Sequence, residues 1–451
     1  GAPSNKALAT TEILIGDGTG FTAASLSSDV TMTNAGAVTI ADNAVSLAKM
    51  AGLARGSIIY GDASGDPAAL ATGSSGQFLT TDGTDTSWGA VTSLPTQTDN
   101  SGKTLITDGT DASWAPKTNR NFIINGDFQI WQRGTNTTGI TSSAYYTADR
   151  WVTGNSSGGT WTQQRSGNPV LTSEGTQLLE MICTSAQASL ASGAELKIAQ
   201  RIEGYNLQPL KKGTANAESI TISFWVRASK TGTYILEIED SDNSRHICQA
   251  YTINVADTFE FKELTFAGDT TGAMTWDSGY GMRIFWFLAA GASLQSGTLA
   301  TSWAAYSQGN EAVGQVNLAD STDGRFYLGL VKMEIGTVAT TFDHDSYEKT
   351  LADCQRYYYE MPNVYGIGNG TKGLGTAGVF PVTMRATPTM TVSYGGVDDR
   401  IYRVDTAALI DGSWTMFKYP QCLSHIYDLA LAAFGAVGTG YIFKLVCDAE
   451  L

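Results

Sequence analysis

One short pattern recurs four times in the first third of the chain and limits what this region can fold into. An apolar pair or triplet runs into a polar turn in ILIGDGTG, IIYGDASG, FLTTDGTD and LITDGTD, which begin at Ile13, Ile58, Phe78 and Leu105. Asp and Gly favour a tight turn, because Asp hydrogen-bonds the local backbone and Gly accepts a positive φ. Each unit therefore predicts a short strand that enters a hairpin turn. The turn residues are Asp17, Asp62, Asp82 and Asp108.

Each repeat carries too few apolar residues to bury a hydrophobic face of its own. The last two repeats also share a tryptophan, since Trp88 and Trp114 each stand six residues after the turn Asp. Units of this kind gain a core by stacking on neighbours or on other chains. Residues 1–118 therefore predict an extended, oligomeric stalk. A flexible Gly/Ser/Thr linker is the alternative, which the regular apolar runs disfavour.

One helical segment interrupts these repeats. The stretch ADNAVSLAKMAGLA, residues 41–54, offers Asp42 or Asn43 as the N-cap and Gly52 as the stop signal. Its apolar residues at helical spacing are Val45, Leu47, Ala48, Met50 and Ala51. A helix this short is marginal in water when isolated. We therefore expect it to join a short bundle between chains.

Residues 119–345 are rich in strands whose side chains alternate between two faces. In SITISFWVR, the apolar face consists of Ile220, Ile222, Phe224 and Val226, and the other face of Thr221, Ser223, Trp225 and Arg227. The runs TYILEIE, YTINV, FEFKELTF, MRIFWFLA and RFYLGLVKM predict further strands. Many short strands separated by Gly, Asp, Ser and Asn turns favour a jelly-roll β-sandwich over this region.

The remaining sequence predicts a linking helix and a small β-domain. Asp345 to Glu348 is typical of a helix start, so residues 346–360 predict a helix. Its expected common face consists of Tyr347, Leu351, Cys354 and Tyr358. Residues 361–451 begin with a Gly-rich loop or very tight hairpin and continue with MTVSY, RIYRV, SWTMFKY and YIFKLVCDA. These runs predict a C-terminal β-domain that would form the distal tip.

Several strings resemble segments of bacteriophage tail fibre proteins. They are NFIINGDFQIWQRGT from Asn121, YYTADRW at 145–151, the stretch from RFYLGLVKMEIG to QRYYYE at 325–360, and FPVTMRATPTMTVSYGG at 380–396. The resemblance implies a homotrimer, a virion location and a jelly roll like those of carbohydrate-binding modules. Together with the repeats and the lack of catalytic motifs, it favours a tail fibre whose 1–118 stalk docks on tail or adaptor proteins and whose β-modules bind a host surface glycan or lipopolysaccharide.

The Asp149, Arg150 and Trp151 triplet within these strings has a structural interpretation of its own. Arginine pairs with carboxylates in a planar, two-point geometry and stacks well on aromatic faces. We therefore expect Arg150 to pair with a carboxylate and to lie against an indole at the edge of the core. A role in ligand binding is the lesser alternative.

Charge and hydropathy exclude two classes of partner. The 28 basic and 43 acidic residues give a net charge of −15, and Lys and Arg form no cluster, so nothing predicts nucleic-acid binding. The longest apolar runs are too short to cross a bilayer, so we expect no membrane insertion. No secretory signal is visible, and five scattered Cys indicate reduced thiols, so we expect synthesis in the host cytoplasm. A pairing of Cys422 with Cys447 stays open.

No motif of catalysis, cofactor binding or metal binding stands out. His246, His344 and His425 are widely separated and predict no zinc site. Asp240 and Asp242 lie in EDSDNS, where a solvated hairpin tip is favoured over a calcium site. No nucleophile elbow or marked carboxylate pair is present. We therefore expect no enzyme activity, no cofactor and no bound metal.

Aromatic residues in loops offer the best candidates for ligand binding. Sugar rings stack their C–H faces on indole or phenol rings, while nearby carboxylates and amides bind the hydroxyls. The candidate glycan-binding residues are Trp276, Tyr280, Trp303, Tyr306 and Trp414. For each of them, packing of a loop on the sandwich or on another subunit is the structural alternative.

The sequence as a whole predicts a trimeric tail fibre that attaches a virion to a host glycan. Two alternatives remain. The protein is a head or collar decoration fibre with accessory adhesion, or, as a weaker hypothesis, a glycan depolymerase.

Overall fold

A computed structural model of the chain shows two compact units. One consists of Gly1–Ser101 with Leu105–Trp114, and the other of Gly102–Thr104 with Ala115–Leu451. The structure describes residues 8–42, 44–45, 52–65, 67–90, 103–107, 111–116, 120–167, 177–368, 373–395, 397–404, 406–411, 414–418, 422–428 and 440–450. No helix in these ranges is both long and apolar enough to cross a membrane.

The described part of the first unit forms two-stranded antiparallel hairpins. They are β1 (Glu12–Gly16) with β2 (Phe21–Ser25), β3 (Val30–Met32) with β4 (Val38–Ile40), β5 (Ile58–Gly61) with β6 (Pro67–Leu70), β7 (Gln77–Thr81) with β8 (Thr86–Ala90), and β9 (Lys103–Thr107) with β10 (Ala112–Pro116). Four of these hairpins match the four sequence repeats, and β3–β4 was not anticipated. The expected helix within 41–54 lies largely outside the described residues.

Carboxylate caps hold the hairpin turns as the repeats predict. Asp17 Oδ1 accepts hydrogen bonds from the backbone N–H groups of Thr19 (2.9 Å) and Gly20 (2.6 Å). Asp82 Oδ1 accepts from the N–H groups of Thr84 and Asp85 at 2.9 and 2.8 Å. These bonds satisfy backbone donors that a turn otherwise leaves unpaired. The turn at Asp108 lies outside the described residues.

The second unit contains a β-sandwich of two antiparallel sheets. The first sheet has the order β11-β14-β15-β23-β17-β20 and consists of β11 (Asn136–Ile140), β14 (Thr160–Gly167), β15 (Gln177–Ser185), β23 (Arg325–Ile335), β17 (Ile220–Ala228) and β20 (Glu260–Phe266). The second sheet has the order β12-β13-β16-β21-β18-β19-β22 and consists of β12 (Ala144–Tyr145), β13 (Trp151–Ser156), β16 (Glu195–Glu203), β21 (Tyr280–Ala290), β18 (Gly232–Asp240), β19 (Arg245–Ile253) and β22 (Ala304–Ala305). The predicted mainly-β jelly-roll sandwich is confirmed.

Aromatic rings fill the space between the two sheets. Trp286 is fully buried, with its ring centroid 5.5 Å from that of Trp151 and 5.9 Å from that of Phe224. Phe128 adds a ring 4.8 Å from Trp151. The predicted apolar face of β17 lies in this core, so its period-two assignment is confirmed.

The outer face of the second sheet is also buried, which the alternation did not predict. Residues 291–316 return across it and bury a second apolar cluster that includes Ile235, Phe287 and Leu294. The backbone N–H of Cys248 donates to the carbonyl of Ala300 at 2.7 Å and anchors this covering segment on β19. Short 3-10 turns at Ala292–Leu294 and Gln308–Asn310 lie within it, and two others occur at Gln208–Leu210 and Leu318–Asp320.

Two short α-helices belong to the same unit, α1 (Gly204–Leu207) and α2 (Tyr347–Gln355). Helix α2 is shorter than the predicted 346–360 helix, because a strand begins at Tyr358. Its N-cap is Ser346, whose hydroxyl accepts from the Lys349 N–H at 3.3 Å. The residues of the expected common face differ in exposure, since Tyr347 is 53% exposed while Cys354 and Tyr358 are buried.

The C-terminal part is a single antiparallel sheet with the order β27-β26-β32-β24-β25-β31-β30, in which β28 also pairs with β29 and β32. Its strands are β24 (Tyr358–Gly368), β25 (Gly373–Val379), β26 (Thr389–Tyr394), β27 (Val397–Asp398), β28 (Arg400–Arg403), β29 (Ala408–Asp411), β30 (Trp414–Lys418), β31 (Cys422–Asp428) and β32 (Gly440–Asp448). The Gly-rich segment contributes to strands β24 and β25, which pair antiparallel. A hairpin was one of the two structures predicted for it. The predicted β-rich C-terminal region is confirmed.

A buried ionic network joins the sandwich to the last strand. Arg150 pairs with Glu450, and its guanidinium carbon lies 3.4 Å from the ring centroid of Tyr357. The expected pairing with a carboxylate is confirmed, but the ring is a phenol and not an indole, because Trp151 points into the core. Arg150 has a φ of +74°, a left-handed conformation that is costly for a residue with a Cβ and that turns its side chain towards Glu450.

Candidate functional site

A cleft of about 600 Å³ lies where the sandwich meets α2. Its walls come from the backbone of residues 120–125, the start of α1, and the exposed side of α2. The polar side chains that line it are Arg120, Asn121, Glu203, Asn206, Asp343, Asp345, Lys349, Asp353 and Arg356. The cleft combines charges of both signs with amide groups, which suits a ligand that carries many hydroxyls.

The inner wall is held rigidly against β23. Asn121 Oδ1 accepts from the N–H groups of Ile123 (3.0 Å) and Met333 (2.9 Å), while its amide donates to the Val331 carbonyl at 2.9 Å. Gly126 permits this contact, because a Cβ there would lie 2.1 Å from the carbonyl oxygen of Val331. The segment is therefore positioned before any ligand arrives.

Ion pairs fix the charged groups on the opposite wall. Arg356 makes a two-point contact with Glu203, with Nε to Oε1 at 2.9 Å and Nη2 to Oε2 at 2.8 Å. The Tyr357 hydroxyl donates to the same carboxylate, and burial raises the pKa of this hydroxyl, so that it stays protonated. On α2, the Lys349 ammonium lies 2.7 Å from Asp345 and 2.9 Å from Asp353.

Tyr205, which lines the cleft, contacts a second exposed aromatic ring, that of Trp276. The Tyr205 and Trp276 rings meet edge to face, with centroids 5.3 Å apart and an interplanar angle of 77°. Tyr205 is 42% exposed and Trp276 is 69% exposed. Their faces provide the apolar surface that a sugar ring stacks on.

Close backbone contacts position this pair. The N–H of Tyr205 donates to the Asp277 carbonyl at 2.9 Å, and the N–H of Gly204 donates to the Gly279 carbonyl at 3.0 Å. A Cβ at Gly204 would lie 2.2 Å from the carbonyl oxygen of Thr275. Helix α1 and the 274–279 loop are therefore packed directly together, and Trp276 projects from the loop beside Tyr205.

The other predicted aromatic residues lie in different surroundings. Tyr280 is 42% exposed, and the guanidinium groups of Arg201 and Arg283 lie 5.6 and 5.5 Å from its ring centroid. Trp303 is partly buried against the core, and its indole N–H donates to the Ala267 carbonyl at 2.7 Å.

Tyr306 is 43% exposed and lies beside the buried His246 ring, at a centroid distance of 5.4 Å. Trp414 begins β30, and its side chain lies outside the described residues. None of the predicted glycan-binding residues with a described side chain lines the cleft, and Trp276 is connected to it only through its ring contact with Tyr205.

The hairpin tip EDSDNS, for which a calcium site was the lesser alternative, already holds a protein cation. The Lys212 ammonium lies 2.5 Å from Asp240 and 3.0 Å from Asp269, and it donates to the carbonyls of Thr271 and Gly272 at 2.8 and 2.9 Å. Asp242 instead accepts the Thr275 N–H at 2.8 Å. The carboxylates of this tip are occupied by protein donors and stabilise the fold.

Sequence reasoning missed Tyr205, Asn206 and Arg120. Arg120 Nη2 donates to Asn206 Oδ1 at 2.7 Å, which connects the two ends of the cleft wall. The string EGYNL offered a usable signal, because it places an aromatic residue and an amide directly after a Gly. TWDSGYG, which contains Trp276, likewise places an aromatic residue directly after a Gly.

Comparisons with known proteins add only weak similarities. No protein-family model and no curated protein matches the chain. The chain is similar to the enzymatically active domain of tailspike protein 4 of bacteriophage CBA120, with 14% identity over 48% of this chain, a TM-score of 0.24, and coverage of 21% of that chain. The chain thus spans about a fifth of that tailspike structure.

Carbohydrate-binding modules are found as well. TmCBM61, solved with β-1,4-galactotriose, has 8% identity over 48% of this chain and 99% of its own, with a TM-score of 0.26. A tandem CBM22 from Paenibacillus barcinonensis Xyn10C has 8% identity over 75% of this chain and 100% of its own, with a TM-score of 0.24. At these values the similarities carry no argument about function.

Proposed function

We propose that this protein is a virion fibre that attaches a bacteriophage to its host by binding a surface glycan in the cleft beside α2. The observation that supports this proposal is the exposed Tyr205–Trp276 pair, of which Tyr205 lines a rigid polar cleft. Hexose C–H faces stack on such rings, while Asn206 and Arg120 lie within the same cleft to bind hydroxyl or acidic groups.

The proposed activity is binding without cleavage. A glycosidase needs two carboxyl groups free to flank the scissile bond, one of them able to donate a proton. In the cleft, Glu203 is held by Arg356, and Asp345 and Asp353 both pair with Lys349. These pairings favour recognition over hydrolysis. Release of reducing ends from host polysaccharide by the purified chain would contradict this part of the proposal.

The first unit supports the further proposal of a homotrimer. None of its described side chains between residues 8 and 114 is buried, and large apolar residues such as Phe21 and Phe78 are 66% and 60% exposed. Identical chains arranged about a rotation axis would bury these surfaces. Three weak glycan sites per fibre then act together through effective concentration. Light scattering of the intact chain tests this assembly, and a monomer would contradict it.

The glycan site is tested by binding of the purified chain to immobilised host surface polysaccharide. We expect Trp276→Ala to weaken binding at least about tenfold, because loss of one stacking ring costs roughly 1 kcal/mol per site and several sites act together. Tyr365→Ala is the matched control, since Tyr365 is also an open ring, 68% exposed, but lies on β24. If Trp276→Ala and Tyr365→Ala lost equal amounts of binding, the glycan site would not be at Trp276.

Location on the particle is a separate part of the proposal. We expect antibodies against the C-terminal sheet to label the tail in electron micrographs of whole particles. Label on the capsid would instead support the head or collar decoration fibre. Preincubating host cells with the trimer tests the role in attachment, because a receptor-binding fibre should leave more added phage unadsorbed.

A further inference from the structure

A second cluster of functional side chains lies buried on the outer face of the second sheet, under the segment 291–316. It consists of Glu237 on β18 and of His246 and Cys248 on β19, all three essentially inaccessible to solvent. One potential ligand atom from each residue lies within 4.8 Å of the other two. The cluster is independent of the glycan cleft and has no part in the proposed attachment.

Strand pairing brings these three residues together. Glu237 stands opposite Cys248 in the β18–β19 register, and His246 stands opposite Glu239. Residues two apart in a strand share a face, and directly paired side chains on neighbouring strands touch. His246 and Cys248 therefore both point to the side on which Glu237 lies. A Cys two residues after a His is the sequence signal of this cluster.

Two polar atoms of the cluster have no protein partner. His246 Nδ1 lies 2.8 Å from Glu237 Oε1, which leaves His246 Nε2 and Glu237 Oε2. Both remaining atoms are buried, and neither has a hydrogen-bond partner among the described residues. Leaving such an atom unpaired costs about 1–3 kcal/mol. A ligand that accepts electron pairs from both atoms would remove this cost.

The charges around the cluster also point to a cation. Glu311, only 5% exposed, interacts electrostatically with Glu237 and Cys248 from the covering segment. Glu239 and Glu195 also interact electrostatically with these carboxylates, and Lys197, which pairs with Glu195 at 2.7 Å, supplies a positive charge. Acidic groups therefore outnumber Lys197 around the cluster.

We propose that Glu237, His246 and Cys248 bind a divalent transition-metal ion, with Zn²⁺ the best match. Imidazole nitrogen, thiolate sulfur and carboxylate oxygen are the ligands of tetrahedral zinc. Ligand atoms in such a site lie about 3.5 Å apart, so the side chains close up by about 1 Å on binding. Binding the ion displaces the proton of the Cys248 thiol and releases it to solvent.

The role of this ion is structural. Complete burial excludes the open coordination position that catalytic zinc needs. The same burial excludes Cys248 as a catalytic nucleophile, because a reactive thiolate is accessible to its substrate and has a lowered pKa. The metal would instead tie the β18–β19 hairpin to the segment that covers it.

The test is the metal content of the untagged full chain produced in medium supplemented with Zn²⁺ and then dialysed. We expect about one zinc per chain in the wild type and in Cys183→Ala, whose thiol is equally buried but lies in the sandwich core. Cys248→Ala should hold less than a tenth of that amount. A folded wild-type protein with no zinc would overturn the proposal.

Production with Co²⁺ identifies the ligands. Thiolate coordination gives a charge-transfer band in the near ultraviolet, which we expect in the wild type and in Cys183→Ala. The band should be absent from Cys248→Ala and altered in His246→Gln, with near-ultraviolet circular dichroism confirming that each variant is folded. A band that persists in folded Cys248→Ala would contradict the assignment.

Discussion

The hairpins of the first unit and the sandwich of the second share strand composition but differ in how they gain stability. Among the described residues, the hairpins bury no side chain, whereas the sandwich buries whole indoles such as Trp151, Trp161 and Trp286. Hairpin structure is therefore local and depends on turns, while the sandwich depends on contacts between distant strands. The same alternating pattern therefore gives a stable hydrophobic core within one chain only when two sheets pack face to face.

Two tryptophans test this contrast with the largest expected effect. Trp286→Ala should lower the free energy of unfolding of the second unit by about 4 kcal/mol, because it empties a cavity between Trp151 and Phe224. Trp88→Ala should leave that transition within about 0.5 kcal/mol of the wild type. Trp88 instead donates its indole N–H to the Ala71 carbonyl at 2.6 Å within the first unit.

Urea unfolding followed by near-ultraviolet circular dichroism measures both variants. If Trp88→Ala destabilised the sandwich as much as Trp286→Ala, the two units would share one core and the contrast would fail.

Two glycines test the same contrast between the hairpins and the sandwich at the level of the backbone. Gly126→Ala places a Cβ 2.1 Å from a carbonyl oxygen, so we expect a loss of about 3 kcal/mol from the second unit. Gly18 has φ +88° and open space around it, so Gly18→Ala costs only the left-handed backbone strain of about 1 kcal/mol. Thermal unfolding of both variants checks the ranking, and a larger effect at Gly18 would contradict it.

Two aspartates give pH-dependent effects of opposite sign. Burial raises the pKa of Asp149 to about 6, above its unfolded value, so its folded form gains protons first. Its contribution to stability therefore increases as pH falls from above 6 towards 4. Hydrogen bonds from the Thr19 backbone and neighbouring groups lower the pKa of Asp17 to about 2, so its contribution is present above pH 4 and is lost as pH falls towards 2.

Carboxyl carbon chemical shifts followed by NMR against pH measure the two pKa values directly. We expect Asp149→Asn to reduce the gain in stability of the second unit on acidification, and Asp17→Asn to leave it unchanged. An Asp149 that titrates below its ordinary pKa would show that the Arg133 ion pair outweighs burial.

Much of the fold was predictable because its signals are local. The period-two alternation identified β17, β21 and β23, and the Asp turns identified four hairpins. Helix α2 begins where it was predicted but ends earlier, because β24 starts at Tyr358 and pairs with β32, which is distant in sequence. Of the aromatic pair beside the cleft, only Trp276 was predicted from the sequence. Composition does not reveal that the start of α1, with Tyr205, lies next to the loop that carries Trp276.

By itself, the sequence determined where strands and turns form, because Asp–Gly turns and alternation act between neighbours along the chain. Only the tertiary structure decided which surfaces meet. It placed Tyr205 beside Trp276, covered the outer face of the second sheet with residues 291–316, and paired Arg150 with Glu450 across 300 residues. Alternation assigns a side chain to a face of its strand, but long-range packing chooses what covers that face.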